Sequence, residues 1–134
     1  MIDLALINGR VMTDEGLSPG AAVGVVDGRI VYVGPQSGLP PARRRRDLED
    51  ALLLPGFIDT QVNGGGGVLF NDDPTPDTIR AIGAAHRRFG TTGFLPTLIS
   101  DDLDVVEAGV TAASRAIAAG APGVLGLQIG RAHV

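Results

Sequence analysis

The chain has 134 residues, a formal charge of −4 carried against eleven arginines and no lysine, 44% hydrophobic residues and no cysteine. That length suffices for one ordinary domain, the charge gives no electrostatic reason to expect nucleic acid, and the missing cysteine excludes disulfide and thiol chemistry. No apolar run approaches the roughly 18 residues of a membrane span, and no basic-then-apolar secretion signal opens the chain, so a cytoplasmic protein without membrane or nucleic-acid partners is expected.

Residues 1–50 read as β-structure. Leu4 to Ile7 and Arg10 to Met12 flank Asn8-Gly9, and Val23 to Val26 and Arg29 to Val33 flank Asp27-Gly28. Both dipeptides favour type I′ hairpin turns, whose two central residues take positive φ. Two isolated hairpins leave unpaired edges and call for further strands. Gly34 to Pro41 reads as a connector. Arg43 to Arg46 reads as a solvated loop, neutralised by Asp47, Glu49 and Asp50 behind it.

The stretch from Leu52 to Asp73 carries the most information. An apolar run, Leu52 to Leu54, meets Pro55-Gly56; Phe57-Ile58 then leads into Asp59, Gln61 and Asn63 and four glycines, Gly64 to Gly67. Residues two apart share one face of a strand, which groups the three polar side chains. A strand ending in convergent polar groups and a glycine loop is how an α/β barrel presents its active site. The glycines are expected to form a flexible loop over that pocket. They lack the Lys-Ser/Thr of a phosphate-binding P-loop.

Downstream, Thr75-Pro76 predicts a capped helix start. Ile79, Ile82, His86 and Phe89 follow at helical spacing, with Gly90 as the stop. A strand over Gly93 to Ile99 contains Pro96. Ser100 or Asp101 can cap a second helix, whose face reads Leu103, Val106, Val110, Ala113 and Ile117. Gly120 and Pro122 end it, and a third strand begins at Val124 to Leu127. Alternating strands and helices with short connections mark a parallel sheet. His86, beside Ile82 and Phe89, reads as a packed helix histidine and not as a metal ligand; Arg87 and Arg88 suit the helix C-terminus.

The residues PGFIDTQVNGGGGVLFND, with GTTGFLPTLISDD (Gly90 to Asp102) and GVLGL (Gly123 to Leu127), resemble the N-acetylglucosamine-6-phosphate deacetylase family of the amidohydrolase superfamily. The resemblance covers roughly the first 127 residues and the first third of a full-length member. It implies an α/β protein: N-terminal β-sandwich strands (residues 1–50), then the first two to three βα units of an incomplete TIM (β/α)8 barrel (51–127). A complete barrel needs about 250 residues. It also implies metal-assisted hydrolysis of an acetamide, a divalent metal (usually zinc) in the full-length parent, an amino-sugar phosphate as its small-molecule partner, and room for a homo-oligomeric parent.

Most superfamily members carry His-x-His where this chain has Gln61-x-Asn63. Carried over by position, Gln61 and Asn63 are vestigial metal-site residues lining the pocket, and Gly64, Gly65, Gly66 and Gly67 form the pocket loop. Amide oxygens are poor zinc ligands beside imidazole. Asp59 is assigned to support of the strand end. No metal ligand or general base of the family falls within the chain, so no cofactor and no catalysis are expected of these residues alone.

Residues 128–134, QIGRAHV, depart from the family pattern. GVLGL continues there as His-(Leu or Ile)-Glu-Gly-Pro, which sets Gly130 where a metal-binding Glu would stand. QIGRAHV is also the translation of CAG ATC GGA AGA GCA CAC GTC, a common library adapter, so a non-native tail is expected and His133 is given no functional weight. Two rivals stand beside this reading. One is another amidohydrolase, dihydropyrimidinase-like or isoaspartyl-dipeptidase-like; the other is a small non-enzymatic binding module.

Overall fold

The structure is a computed structural model that describes residues 1–130; His133 and most of the expected tail lie outside them. The chain divides into two units, residues 1–55 and the residues from Gly56 onward.

The first unit is built from β1 (Ile2–Ile7), β2 (Arg10–Thr13), β3 (Gly16–Pro19), β4 (Ala21–Val26), β5 (Arg29–Pro35), β6 (Ala42–Asp47) and β7 (Leu52–Leu53). They form two sheets, ordered β5-β4-β1-β6 and β3-β2-β7. Val11 from one sheet and Ala21 and Val23 from the other share a buried cluster, with Leu6, Val25 and Leu53 packed against it. The two apolar faces cover one another, the arrangement of a sandwich.

Asp27-Gly28 makes the expected hairpin between β4 and β5, with φ of 49° and 73°. Asn8-Gly9 does not. β1 pairs with β4 and β6, while β2 pairs with β3 and β7, so these two residues carry the chain from one sheet to the other. Asn8 alone has positive φ. Its backbone N–H donates to Gln36 Oε1 at 3.0 Å, its side-chain Oδ1 accepts from Gln36 Nε2 at 3.0 Å, and its Nδ2 donates to Asp47 Oδ2 at 2.7 Å, which together fix that geometry. Gly9 is needed for space: a Cβ there would meet Leu48 Cδ1 at 2.5 Å.

The arginine run is likewise no loop. Arg43 to Arg46 lie in β6, parallel to β1 on the sheet's edge and exposed throughout. A row of charges on an edge strand discourages further strand addition. Leu52 and Leu53 pair with Arg10 and Val11, so the division falls after Pro55 rather than at residue 50.

The second unit runs β8 (Phe57–Val62), β9 (Gly64–Gly65), β10 (Val68–Leu69), α1 (Pro76–Arg87), β11 (Thr91–Leu98), α2 (Leu103–Ala118) and β12 (Gln128–Ile129). β8, β11 and β12 form a parallel sheet with β11 in the middle. Both helices pack on it around Val62, Phe70, Ile79, Ile82, Phe94, Leu98, Ala112, Ala113 and Ala116. The third strand pairs later than expected: Val124 makes a single bridge to Phe94, and the ladder is formed by Gln128 and Ile129. Pro96 is tolerated in the central strand because it borders a register shift.

Helix α1 starts as its sequence predicts. Thr75 Oγ1 accepts the Thr78 N–H at 3.2 Å, and Pro76 occupies the first turn. It ends at Arg87, so Phe89 lies beyond it and is 81% exposed. The N-cap of α2 is Asp102, with no side-chain cap bond; Asp101 is engaged elsewhere. The buried face of α2 is Gly109, Ala112, Ala113 and Ala116, whereas Leu103, Val110 and Ile117 point outward. Close packing explains the rotation: a Cβ at Gly109 would strike Leu98, so the smallest residues take the contact and the larger ones are displaced from it.

Candidate functional site

The C-terminal end of β8 is irregular. Asp59 pairs with Phe94 and Val62 with Pro96, so Thr60 and Gln61 stand opposite the single residue Leu95. This is a β-bulge, which re-aims side chains at a strand end. The two-residue alternation therefore does not run unbroken from Asp59 to Asn63. Asp59 Oδ1 accepts the Gln61 N–H at 3.0 Å, a local brace at the bulge. Gln61 is exposed and Asn63 half-buried.

Thr97 ties this end to the central strand. It is wholly buried, its Oγ1 accepts the Val62 N–H at 3.0 Å, and its hydroxyl donates to Leu95 O at 3.0 Å. Asn63 Nδ2 donates to Thr97 O at 3.2 Å. The Asn63 amide thus spends a donor on the strand beside it. Such bonds keep buried polar groups satisfied, and no buried side-chain polar atom among the described residues lacks a partner.

The glycine tract forms a β-hairpin rather than an irregular loop. Gly64 and Gly65 pair antiparallel with Leu69 and Val68, and Gly66 and Gly67 turn between them with φ of 66° and 87°. Two successive positive φ values are what a two-residue I′-type turn demands. Gly64 and Gly65 answer a second need, close approach: a Cβ on Gly65 would lie 2.8 Å from His86 Nε2, and one on Gly64 would lie 2.5 Å from Val68 O. Beyond the hairpin, Phe70 N–H donates to Asn63 O at 2.8 Å, and the Phe70 ring is fully buried in the core.

Two residues that carried no functional weight in the sequence hold this region. His86 Nε2 lies 2.9 Å from Gly64 O. Asn71 acts as a substitute strand: its Oδ1 accepts from Ile99 N at 2.9 Å, and its Nδ2 donates to Ile99 O at 3.0 Å and to Asp101 Oδ2 at 2.9 Å. The Asn71 amide, and after it the Asp102 N–H, hold the Asp101 carboxyl below the usual carboxylate range. The helical spacing of His86 and the turn-prone setting of Asn71 concealed both bonds, since their partners are 22 and 28 to 30 residues away.

A metal bound by these residues would need anionic or imidazole donors within reach of one point. Among the described residues no three His, Asp or Glu side chains converge. Gln61 and Asn63 offer only neutral amide oxygens, which suit a divalent transition metal poorly. The donor set present therefore does not fit a metal centre. It fits a polar rim at the strand ends, bordered by the glycine hairpin.

No family model matches the chain. Curated relatives do. N-acetylgalactosamine-6-phosphate deacetylase of Shewanella sp. (strain ANA-3) is 40% identical over 129 residues, covering 93% of this chain and 32% of the relative. N-acetylglucosamine-6-phosphate deacetylase of Haemophilus influenzae is 38% identical over 97 residues, covering 72% of this chain and 25% of the relative. The likeness is to the amino-sugar-phosphate deacetylases.

A solved structure agrees. The crystal structure of N-acetylglucosamine-6-phosphate deacetylase from Pasteurella multocida superposes with a TM-score of 0.87 at 29% identity, over 94% of this chain and 33% of that one. The resemblance expected from PGFID, Gln-x-Asn and the glycine tract is thus found across both units and not in the motifs alone. The chain spans about a third of the length of the deacetylases it matches.

Proposed function

We propose that this chain forms the N-terminal third of an N-acetylglucosamine-6-phosphate deacetylase, an amidohydrolase-superfamily enzyme. In that reading β8 and β11 are the first two strands of a (β/α)8 barrel, and the stretch from Val124 to Leu127, which bridges to Phe94 through Val124, opens the third. The whole enzyme adds water across the amide of N-acetyl-D-glucosamine 6-phosphate, releasing acetate and leaving the amine of D-glucosamine 6-phosphate. The observation that carries the class of enzyme is the 40% identity over 129 residues, through both units, to an N-acetylgalactosamine-6-phosphate deacetylase. The gluco substrate is supported by the 38% identity over 97 residues to an N-acetylglucosamine-6-phosphate deacetylase and by the solved structure of another. A function on this fold must be argued from its site, because barrels host many chemistries. Here the site supports the family by its Gln61-x-Asn63 pair and its glycine hairpin.

Gln61 and Asn63 are proposed to line the pocket without binding metal, where other amidohydrolases bind a second ion. Gly64 to Gly67 form its wall. The divalent metal, the general base and the residues that read the sugar phosphate are assigned to the remainder of the enzyme. A cytoplasmic enzyme is part of the proposal, supported by the absence of cysteine and by the absence, among the described residues, of a helix long and apolar enough to cross a membrane.

The test is the product of the complete gene, given N-acetylglucosamine 6-phosphate and N-acetylgalactosamine 6-phosphate in parallel. Acetate and free amine should appear in equal amounts, with the gluco epimer preferred. Preference for the galacto epimer would move the substrate within the same class. Ring opening of a dihydropyrimidine, with neither sugar cleaved, would overturn the reading.

A further inference from the structure

The hairpin Gly64–Leu69 has almost nothing of its own to hold it. A two-residue ladder is far too short to be stable alone. Its first strand is two glycines, which contribute no cross-strand side-chain pair and lose the most conformational freedom on ordering. Its free end must be held from outside.

Helix α1 supplies that hold. His86, in the last turn, is half-buried beneath the tract, and its Nε2 is 2.9 Å from Gly64 O. A carbonyl oxygen only accepts, so Nε2 carries the proton and donates. The imidazole edge also occupies the space over Gly65 that any side chain there would need, and Ala85 lies close beside Gly66. Ring and glycines fit one another.

We propose that His86 is a positioning residue: it clamps the glycine hairpin to α1 and so makes Gly64–Leu69 a fixed wall beside Gln61 and Asn63. That the wall borders a sugar pocket rests on the deacetylase reading; the clamp itself does not. Phe70, buried in the core, anchors the hairpin's exit, and Asn63, bonded to Thr97 O and Phe70 N–H, stands just before its entry; His86 adds the hold on the first strand itself. The hairpin is preformed and does not act as a closing lid.

Hydrogen exchange followed by mass spectrometry on the product of the complete gene, without substrate, tests this with two variants. Losing a hydrogen bond of ordinary strength corresponds to about a tenfold change in an opening equilibrium. His86→Leu, which keeps bulk and removes the donor, should speed exchange in the peptide spanning Gly64 to Phe70 about tenfold, leaving peptides from α1 and β11 unchanged. His86→Gln, whose side-chain amide can donate from nearly the same place, should restore protection. Unchanged exchange at Gly64 to Phe70 in His86→Leu would overturn the clamp. So would equal loss across α1 and β11, or failure of His86→Gln to rescue, because either would mean that His86 serves as packing alone. No substrate enters the experiment, so its outcome is independent of the enzymatic assignment.

Discussion

Asn71 and Asp101 connect the exit of the glycine hairpin to the end of the central strand. The connection leaves a titration signature. Asp101 is held below the ordinary carboxylate range first by the Asn71 amide and then by the Asp102 N–H. A group with a lowered folded pKa adds stability that is fully present above its unfolded value, about 3.9, and is lost as pH falls through the folded value. A carbon-13 titration of the Asp101 carboxyl should therefore have its midpoint below about 3.9. In Asn71→Ala the midpoint should rise toward that value, and an unmoved midpoint would show that Asn71 is not the cause. At the turn itself, Gly67 holds a φ of 87° with open space around its missing Cβ. Gly67→Ala should thus cost backbone energy alone, about 1–2 kcal/mol, measured by urea denaturation of the product of the complete gene.

Elements show where local pattern was enough and where it failed. Helix α2 was foreseen as an element, but its buried face only in part. Counting apolar residues at helical spacing favoured Leu103, Val106, Val110, Ala113 and Ile117; the structure buries Ala113 and half-buries Val106 but exposes the other three, taking Gly109, Ala112 and Ala116 in their place. The two faces make opposite predictions. Ala112→Leu should overpack the contact with the sheet and cost about 1–3 kcal/mol, while Val110→Ser should change stability by less than about 0.5 kcal/mol. Thermal or urea unfolding of the pair, each made in the product of the complete gene, decides it.

Other elements divide along the same line. The α1 cap, the Asp27-Gly28 hairpin and the strand–helix alternation were legible because each is set by neighbours in sequence. Asn8-Gly9 was misread because a turn dipeptide does not say which sheet its flanking strands will join. The arginine strand was misread because edge pairing with β1 outweighs a composition that looks like loop. The candidate site was half legible. Gln61, Asn63 and the glycines drew attention as a motif, but the bulge, the His86 bond and the Asn71 bridges depend on residues brought close only by folding.

At the scale of the whole molecule, the parallel sheet is the decisive feature. Gly93 lies between Ile58 and Leu125, either of which a Cβ there would meet. Successive residues face opposite ways, so this is the side away from Phe94 and the helices. Ile58 is 65% exposed and Leu125 57%. Parallel sheets are normally covered on both faces, and a large apolar patch left open marks an interaction surface. The outer face of α2 adds Leu103, which is 78% exposed, to the uncovered area. The proposal that these strands open a longer barrel accounts for all of it, since later strands and helices would cover both surfaces.

Sedimentation velocity of the purified 134-residue chain, paired with its thermal unfolding, tests that claim most directly. The account predicts concentration-dependent association, reduced when Ile58 and Leu125 are replaced by serine. A compact monomer that unfolds in one sharp, cooperative transition would contradict it.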